Sequence, residues 1–478
     1  MTPLTTSKAT SAAHATLASG AGRATAVTSS SRAARAAGVR RWPPRAGLAR
    51  CLLLLLAAAM PQGLAAAAAP IAAAPASAPA AAPVPAPAAA DPARSAGAAP
   101  PAAGRVAFDR SRYRPAVLYL NVTKGKDPGQ EFIDLVLIPP KGEVIGRRVG
   151  IRLEDLRTQL RALYGSLARQ DSLRNDDPSA PARLLYRLLL QAVVPDLEKL
   201  GITTLILVPD AGLQAVPFAA LHDGRSSFGE RYAFSLTPSI SLMRRELPGS
   251  GSGTGQLALG ASRFEGLAPL PLVPQEVERI AALGPTERYL DQAFTPDVLL
   301  RRAGDPGVRR VHVATHAEFL PGGPSRSKLY AGSGTMDLSR FAALRQRRAG
   351  DPLDLFVLSA CRTALGDTES ELGFAGLALQ AGSRSAIGTL WYVDDVATSA
   401  FFIVFYRHLQ QGLPKAEALQ ATRRDFANGR IQLRGDQLIG ADGTPLLQNL
   451  TVQQQRRVET GLQHPFFWAG IALLGTPW

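Results

Sequence analysis

Cysteine is nearly missing from this chain: Cys51 and Cys361 are the two among 478 residues. Cys51 lies in an apolar leader, so removal of that leader would leave Cys361 alone and exclude a disulfide framework. Metal-ligand spacings of Cys, His and Asp are also missing, which argues against a structural zinc or any other bound metal. The glycine-rich stretch GSGSGTG, residues 249–255, fits neither a phosphate loop nor a dinucleotide fingerprint, so no cofactor is expected. A small-molecule hydrolase of the Gly-x-Ser-x-Gly kind ranks last, because that elbow does not occur. Helical repeats of about 34 residues are absent as well.

Positive charge is present but scattered. Of the net +15, residues 1–104 carry +8 and residues 105–478 the other +7, mostly as arginine. Nucleic-acid binding usually needs a basic stripe with interleaved aromatics, so no nucleic-acid partner is expected. The basic segment RRWPPRAGLAR precedes the apolar run CLLLLLAAAM, residues 51–60, and Ala-x-Ala options follow around residues 64–69. The run is too short to span a bilayer comfortably, and Pro61 and Gly63 break it. Residues 1–66 therefore read as a signal peptide-like leader with an unusually long basic part, which implies an exported chain; an Ala-rich leader with no export role would leave it cytoplasmic. No transmembrane segment is expected beyond it. Residues 67–104 are almost entirely Ala and Pro and read as a disordered linker.

From Arg105 the texture changes. PAVLYLNV and FIDLVLIP read as strands, RLEDLRTQLRALYGSLARQ repeats its apolar residues at helical spacing, and ITTLILVPD is a continuous apolar run of the kind covered on both faces. Beyond the 249–255 joint, strand and helix patterns alternate to the C-terminal FFWAGIALLG. The predicted class is α/β, a mostly parallel sheet with helices on both faces.

In such sheets the working groups gather past the carboxyl ends of the strands. Cys361 follows the apolar run LDLFVLSA, and His316 ends VRRVHVAT. Two strand ends can lie side by side although 45 positions separate these residues, so an imidazole can take the proton of a thiol that is otherwise a poor nucleophile. The backbone N–H groups of Ala317 and Cys361 are the candidate oxyanion donors. A buried, unreactive cysteine ending a core strand is the alternative for Cys361. His312 competes with His316 on the same strand face, but four residues of strand span about 13 Å, too far to share a metal ion. His312, His222, His408 and His464 read as satisfied core histidines.

These residues resemble the CHAT domains, caspase-like cysteine proteases related to separase. The matching pieces are LILVPDAGLQAVPFAAL, the TPS at residues 237–239, VHVATHA, LFVLSACRTALG, GFAGLALQAGSRSAIGTLWYVDD and HPFFWAGIALLG, in order across about 115–478. The resemblance implies a caspase-like three-layer α/β/α sandwich, with an inactive N-terminal subdomain at 105–247 and the catalytic subdomain at 256–478. It makes His316 the catalytic histidine and Cys361 the nucleophile of a cysteine endopeptidase working through a thioester acyl-enzyme. It also places Asp395 of LWYVDD where a carboxylate receives a basic P1 side chain, a charge-assisted contact. Asp394 or Asp395 capping the following helix is the alternative.

The chain departs from the family in two respects. Ala317 follows the histidine where many caspase-like enzymes have Gly, and no helical repeat of about 34 residues is found in this chain, which points to regulation by a separate protein or by an accessory segment. The partners expected are thus a protein substrate and such a regulator. A catalytically idle CHAT scaffold is the rival reading. The basic segment RQRRAGD, residues 345–351, reads as an exposed loop and a candidate for self-cleavage.

Overall fold

The computed structural model describes residues 113–478, apart from 128, 211, 244–254, 319–324, 349–350, 361–372 and 393. Cys361, the leader at 1–66 and the Ala/Pro-rich linker at 67–104 lie outside the described residues. An eleven-stranded sheet organises the rest. Its strands in chain order are β1 (Pro115–Lys124), β2 (Glu131–Ile138), β3 (Ile145–Ile151), β4 (Thr204–Pro209), β5 (Ala233–Leu236), β6 (Gly255–Gly260), β7 (Thr286–Leu290), β8 (Val308–Ala314), β9 (Leu355–Ser359), β10 (Ser385–Thr389) and β11 (Ile471–Gly475). Across the sheet they run β3-β2-β1-β4-β5-β11-β10-β9-β8-β6-β7. Seven neighbouring pairs are parallel and three antiparallel, so the sheet is mostly parallel.

Burial follows composition. Every residue of β4, β9, β10 and β11 is buried, because strands this apolar need cover on both faces. The outermost strand β3 instead shows Arg147 and Arg148 to solvent, charges that discourage further pairing at an edge. The helices used below are α1 (Leu153–Arg169), α2 (Pro181–Leu189), α3 (Val273–Ala281), α4 (Asp395–Gln410), α5 (Lys415–Ala427) and α6 (Val452–Val458). In α1 the buried residues Leu156, Leu160, Leu163, Tyr164 and Leu167 form one apolar stripe. In α4 nearly every side chain from Val396 to Tyr406 is buried, as expected of a helix that is apolar all round.

The last strand lands in the middle of the sheet. β11, from the C-terminal motif, pairs antiparallel with β10 from Ser385↔Gly475 to Thr389↔Ile471, and parallel with β5 at Leu474↔Leu236. Strands that precede residue 244 and strands that follow 254 therefore belong to one sheet. The boundary expected between 247 and 256 lies in residues that are largely outside the described ones. No helix among the described residues is long and apolar enough to cross a membrane.

Two local expectations are corrected. RSAIGTLWYV continues as strand only to Thr389, because Trp391 turns inward and donates its indole N–H to Phe466 O at 3.0 Å. RQRRAGD is not a simple exposed loop: residues up to Arg347 end a short helix, Ala342–Arg347, and Arg348 is buried. Its guanidinium donates to Ala303 O at 3.1 Å and Asp305 O at 2.7 Å, which ties the segment to the body of the protein, while the other two arginines, Arg345 and Arg347, are exposed. Cleavage after Arg348 would require those bonds to break first.

Candidate active site

The site begins with strand register. β8 and β9 run parallel with Ala314 opposite Ser359, and Thr315 N–H donates to Ser359 O at 3.2 Å, so the two chains leave the sheet at the same level. His316 stands two positions beyond Ala314. On the neighbouring strand, Ala360 is buried and its carbonyl accepts the Thr389 hydroxyl at 2.7 Å. Cys361, the next residue, is outside the described part of the chain.

The His316 ring is half-buried and held from two sides by the loop after β6. Its Nε2 lies 2.8 Å from Ala268 O, and the Phe264 ring packs on it with centroids 4.6 Å apart. A carbonyl can only accept, so Nε2 carries a proton and Nδ1 is the nitrogen that can exchange one. The same loop is anchored by Asp291, whose carboxylate accepts Ser262 N–H at 2.7 Å and the Ser262 hydroxyl at 2.8 Å. Ala317 opens a two-residue strand, Ala317–Glu318, that pairs with Lys328–Tyr330 and fixes the backbone just past the histidine.

A small cleft opens at this level, and His316, Ser359, Thr315, Glu276 and Asp395 share its lining. The sequence-predicted His316 and Asp395 are thus brought to one cavity. Asp394 is the α4 cap, accepting Val396 N–H at 3.0 Å and Ala397 N–H at 3.1 Å, while Asp395 begins the helix itself. Burial, helped by the Asp395 charge, pushes the Asp394 carboxyl above the usual carboxylate range, against the pull of the cap amides and Arg457. Arg457 of α6 reaches both acids, with Nη1 2.5 Å from Asp395 Oδ1 and 3.8 Å from Asp394 Oδ2.

Sequence reasoning missed several of these groups. Ala268 acts through a backbone carbonyl, which no residue type signals. Arg457 is 62 positions from Asp395 and carries no local pattern. Glu276 left a trace: in PQEVERIAALG it shares the helical spacing of the buried Val273, Val277 and Ile280, so a carboxylate falls on an apolar face. Its Oε1 lies 2.9 Å from His312 Nε2, and its Oε2 accepts the Ser399 hydroxyl at 2.7 Å.

His312 is fully buried, edge-on to Phe402 and Tyr406, as a core histidine. The other three are partnered too. His408 lies 2.9 Å from Asp425, His222 accepts Gly224 N–H, and His464 accepts Phe466 N–H while its Nε2 donates to Asp171 O. Unlike His312, none of these three is fully buried.

The fold is mixed α/β, built on a large, mostly parallel sheet with His316 just past the end of β8. The chain belongs to the CHAT domain family, whose model matches residues 179–476. Among solved structures, it is similar to separase of Saccharomyces cerevisiae in complex with securin, at 10% identity and TM-score 0.45, covering 77% of this chain and 30% of that one. It is also similar to gingipain R, the Arg specific cysteine proteinase, at 12% identity and TM-score 0.35, covering 60% and 66%. A third is caspase-1 from Spodoptera frugiperda, at 13% identity and TM-score 0.27, covering 41% and 89%. The chain thus spans about a third of the separase chain it matches. No curated protein matches it.

Proposed function

We propose that this protein is a CHAT-type cysteine endopeptidase in which His316 and Cys361 form the catalytic dyad. The observation that carries it is the register of β8 and β9: His316 and Cys361 each stand two positions beyond the paired Ala314 and Ser359. Neighbouring strands lie about 4.8 Å apart, so equal offsets favour a meeting of the two side chains.

In this reading His316 Nδ1 takes the thiol proton, because Nε2–H is committed to Ala268 O. The thiolate attacks the substrate carbonyl, and the N–H groups of Ala317 and Cys361 receive the developing oxyanion. The imidazolium then gives its proton to the leaving amine, the C–N bond breaks, and a thioester remains. Water adds to the thioester carbonyl as His316 takes a proton from it, the C–S bond breaks to release the acid, and the imidazolium returns its proton to sulfur, restoring the thiol. Residues 105–247 serve as the inactive half that completes the sheet.

Labelling with an iodoacetamide probe tests the dyad. Modification of Cys361 in the intact protein should be fast and should slow by about tenfold or more in His316→Ala, since a positioned base typically contributes 10²–10⁴-fold. Equal, slow labelling of both proteins would support the idle scaffold instead.

Asp395 is the P1 acid in the same scheme. Arg457 already neutralises it, so an incoming Arg or Lys must share or displace a resident cation. Two outcomes follow in a peptide library. Asp395→Ala should lower kcat/KM for basic P1 residues by about ten- to a hundredfold relative to neutral ones. Arg457→Ala should raise it for the same residues, because the acid pair then lacks its own counter-ion. An unchanged P1 profile in both variants would remove Asp395 from specificity.

A further inference from the structure

A second cavity lies away from the cleft, and no residue lines both. Arg183, Tyr186 and Arg187 of α2 face it, with Gln191, Pro195 and Asp223 around them. Two features set it apart. Arg183 and Arg187 are one helical turn apart on the same face, where like charges disfavour the helix. Neither pairs with a carboxylate among the described residues. Arg147, Arg148, Arg161 and Arg231, elsewhere in this half, all do.

Both guanidinium groups are instead tied to main-chain carbonyls: Arg183 Nη1 donates to Asn175 O at 2.9 Å and Arg187 Nη2 to Pro178 O at 3.5 Å. The Arg183 group also lies flat against Gly224, where a Cβ would stand 2.7 to 2.9 Å from Nη1, Cζ and Nη2. Gly224 has φ +104°, so the turn and the arginine are matched in shape, and the cation is pre-placed. The one acid in the lining is already satisfied. Asp223 Oδ1 accepts Arg225 N–H and Ser226 N–H, and Oδ2 accepts Arg231 at 2.8 Å. Burial holds Tyr186 far above its ordinary range, up to about 12, so its phenol remains neutral. Two cations and an amide therefore converge on a cavity whose one lining carboxylate, Asp223, is engaged by Arg231 and two backbone N–H groups.

We propose that this cavity is a binding site for a compact oxyanion, a carboxylate or a phosphate, gripped by Arg183 and Arg187. Arginine suits both anions because its planar fork presents paired N–H donors. The site stands apart from the dyad, and its test does not depend on peptidase activity.

Inorganic phosphate and glutarate, titrated separately into the whole protein at physiological ionic strength and followed by calorimetry, test it. One of them should bind saturably at one site; which binds tighter distinguishes phosphate from carboxylate chemistry. Arg183→Met and Arg187→Met, which keep the apolar stems, should each weaken binding by about tenfold. Arg225→Met, an exposed arginine on the same turn but outside the lining, should change it less than twofold. Arg187 is exposed, so its variant cannot fail merely by unfolding. Absence of saturable binding by both anions, or equal weakening by Arg225→Met, would overturn the site.

Discussion

Cys361→Ala should abolish peptide hydrolysis, by at least about three orders of magnitude, while leaving the fold and melting temperature nearly unchanged. A nucleophile that forms the covalent intermediate cannot be replaced by positioning alone, and losses of that order or larger accompany its removal in enzymes of this kind. The strand is complete before that position. β9 ends at Ser359 with all five residues buried, and the Ala360 carbonyl is secured by the Thr389 hydroxyl before Cys361 is reached. Loss of activity with an unchanged melting curve separates the dyad from the alternative of a buried core cysteine, which predicts the reverse: lost stability and nothing to inactivate. Substrate proteins should also accumulate on the Cys361→Ala variant, since binding survives when bond formation does not.

What was legible in the sequence was periodic or local. Continuous apolar runs marked the covered strands, and the stripe of α1 marked one face of a helix. The strand end at His316 marked where polar groups would gather. These signals depend on neighbours in the chain. What escaped depends on register and on groups without side-chain identity. Equal offsets of His316 and Cys361 from Ala314 and Ser359 need a strand alignment that periodicity does not specify. The final strand could be recognised as a strand, but not its insertion between β5 and β10. The carbonyl of Ala268 that sets the His316 tautomer belongs to an ordinary alanine in a loop. Arg348, read as part of a basic loop, is buried because main-chain carbonyls of residues 303 and 305 accept its protons, and such acceptors are invisible to composition.

Glu276→Ala should destabilise the protein by about 2–5 kcal/mol, since two buried hydrogen-bonding partners are left unpaired at about 1–3 kcal/mol each. Glu276 is 1% exposed and joins three elements: α3 carries it, β8 supplies His312 at 2.9 Å, and α4 supplies the Ser399 hydroxyl at 2.7 Å. Truncation strands both partners, His312 between Phe402 and Tyr406 and Ser399 beside the cleft that it lines with Glu276. Glu276→Gln keeps the shape and one acceptor and should cost only about 1–2 kcal/mol. The double variant Glu276→Leu/His312→Leu removes both polar partners at once. Its loss should fall short of the summed losses of Glu276→Leu alone and His312→Leu alone by about 1 kcal/mol or more, the mark of a direct interaction. Denaturant unfolding measures each variant, and additivity within error would show that the two residues do not act as a pair. Because Ser399 lies one turn beyond Asp395 on α4, the same carboxylate steadies the helix that carries the proposed P1 acid. Glu276→Gln should therefore disturb P1 preference less than Glu276→Ala, in proportion to how firmly the start of α4 is still held against β8.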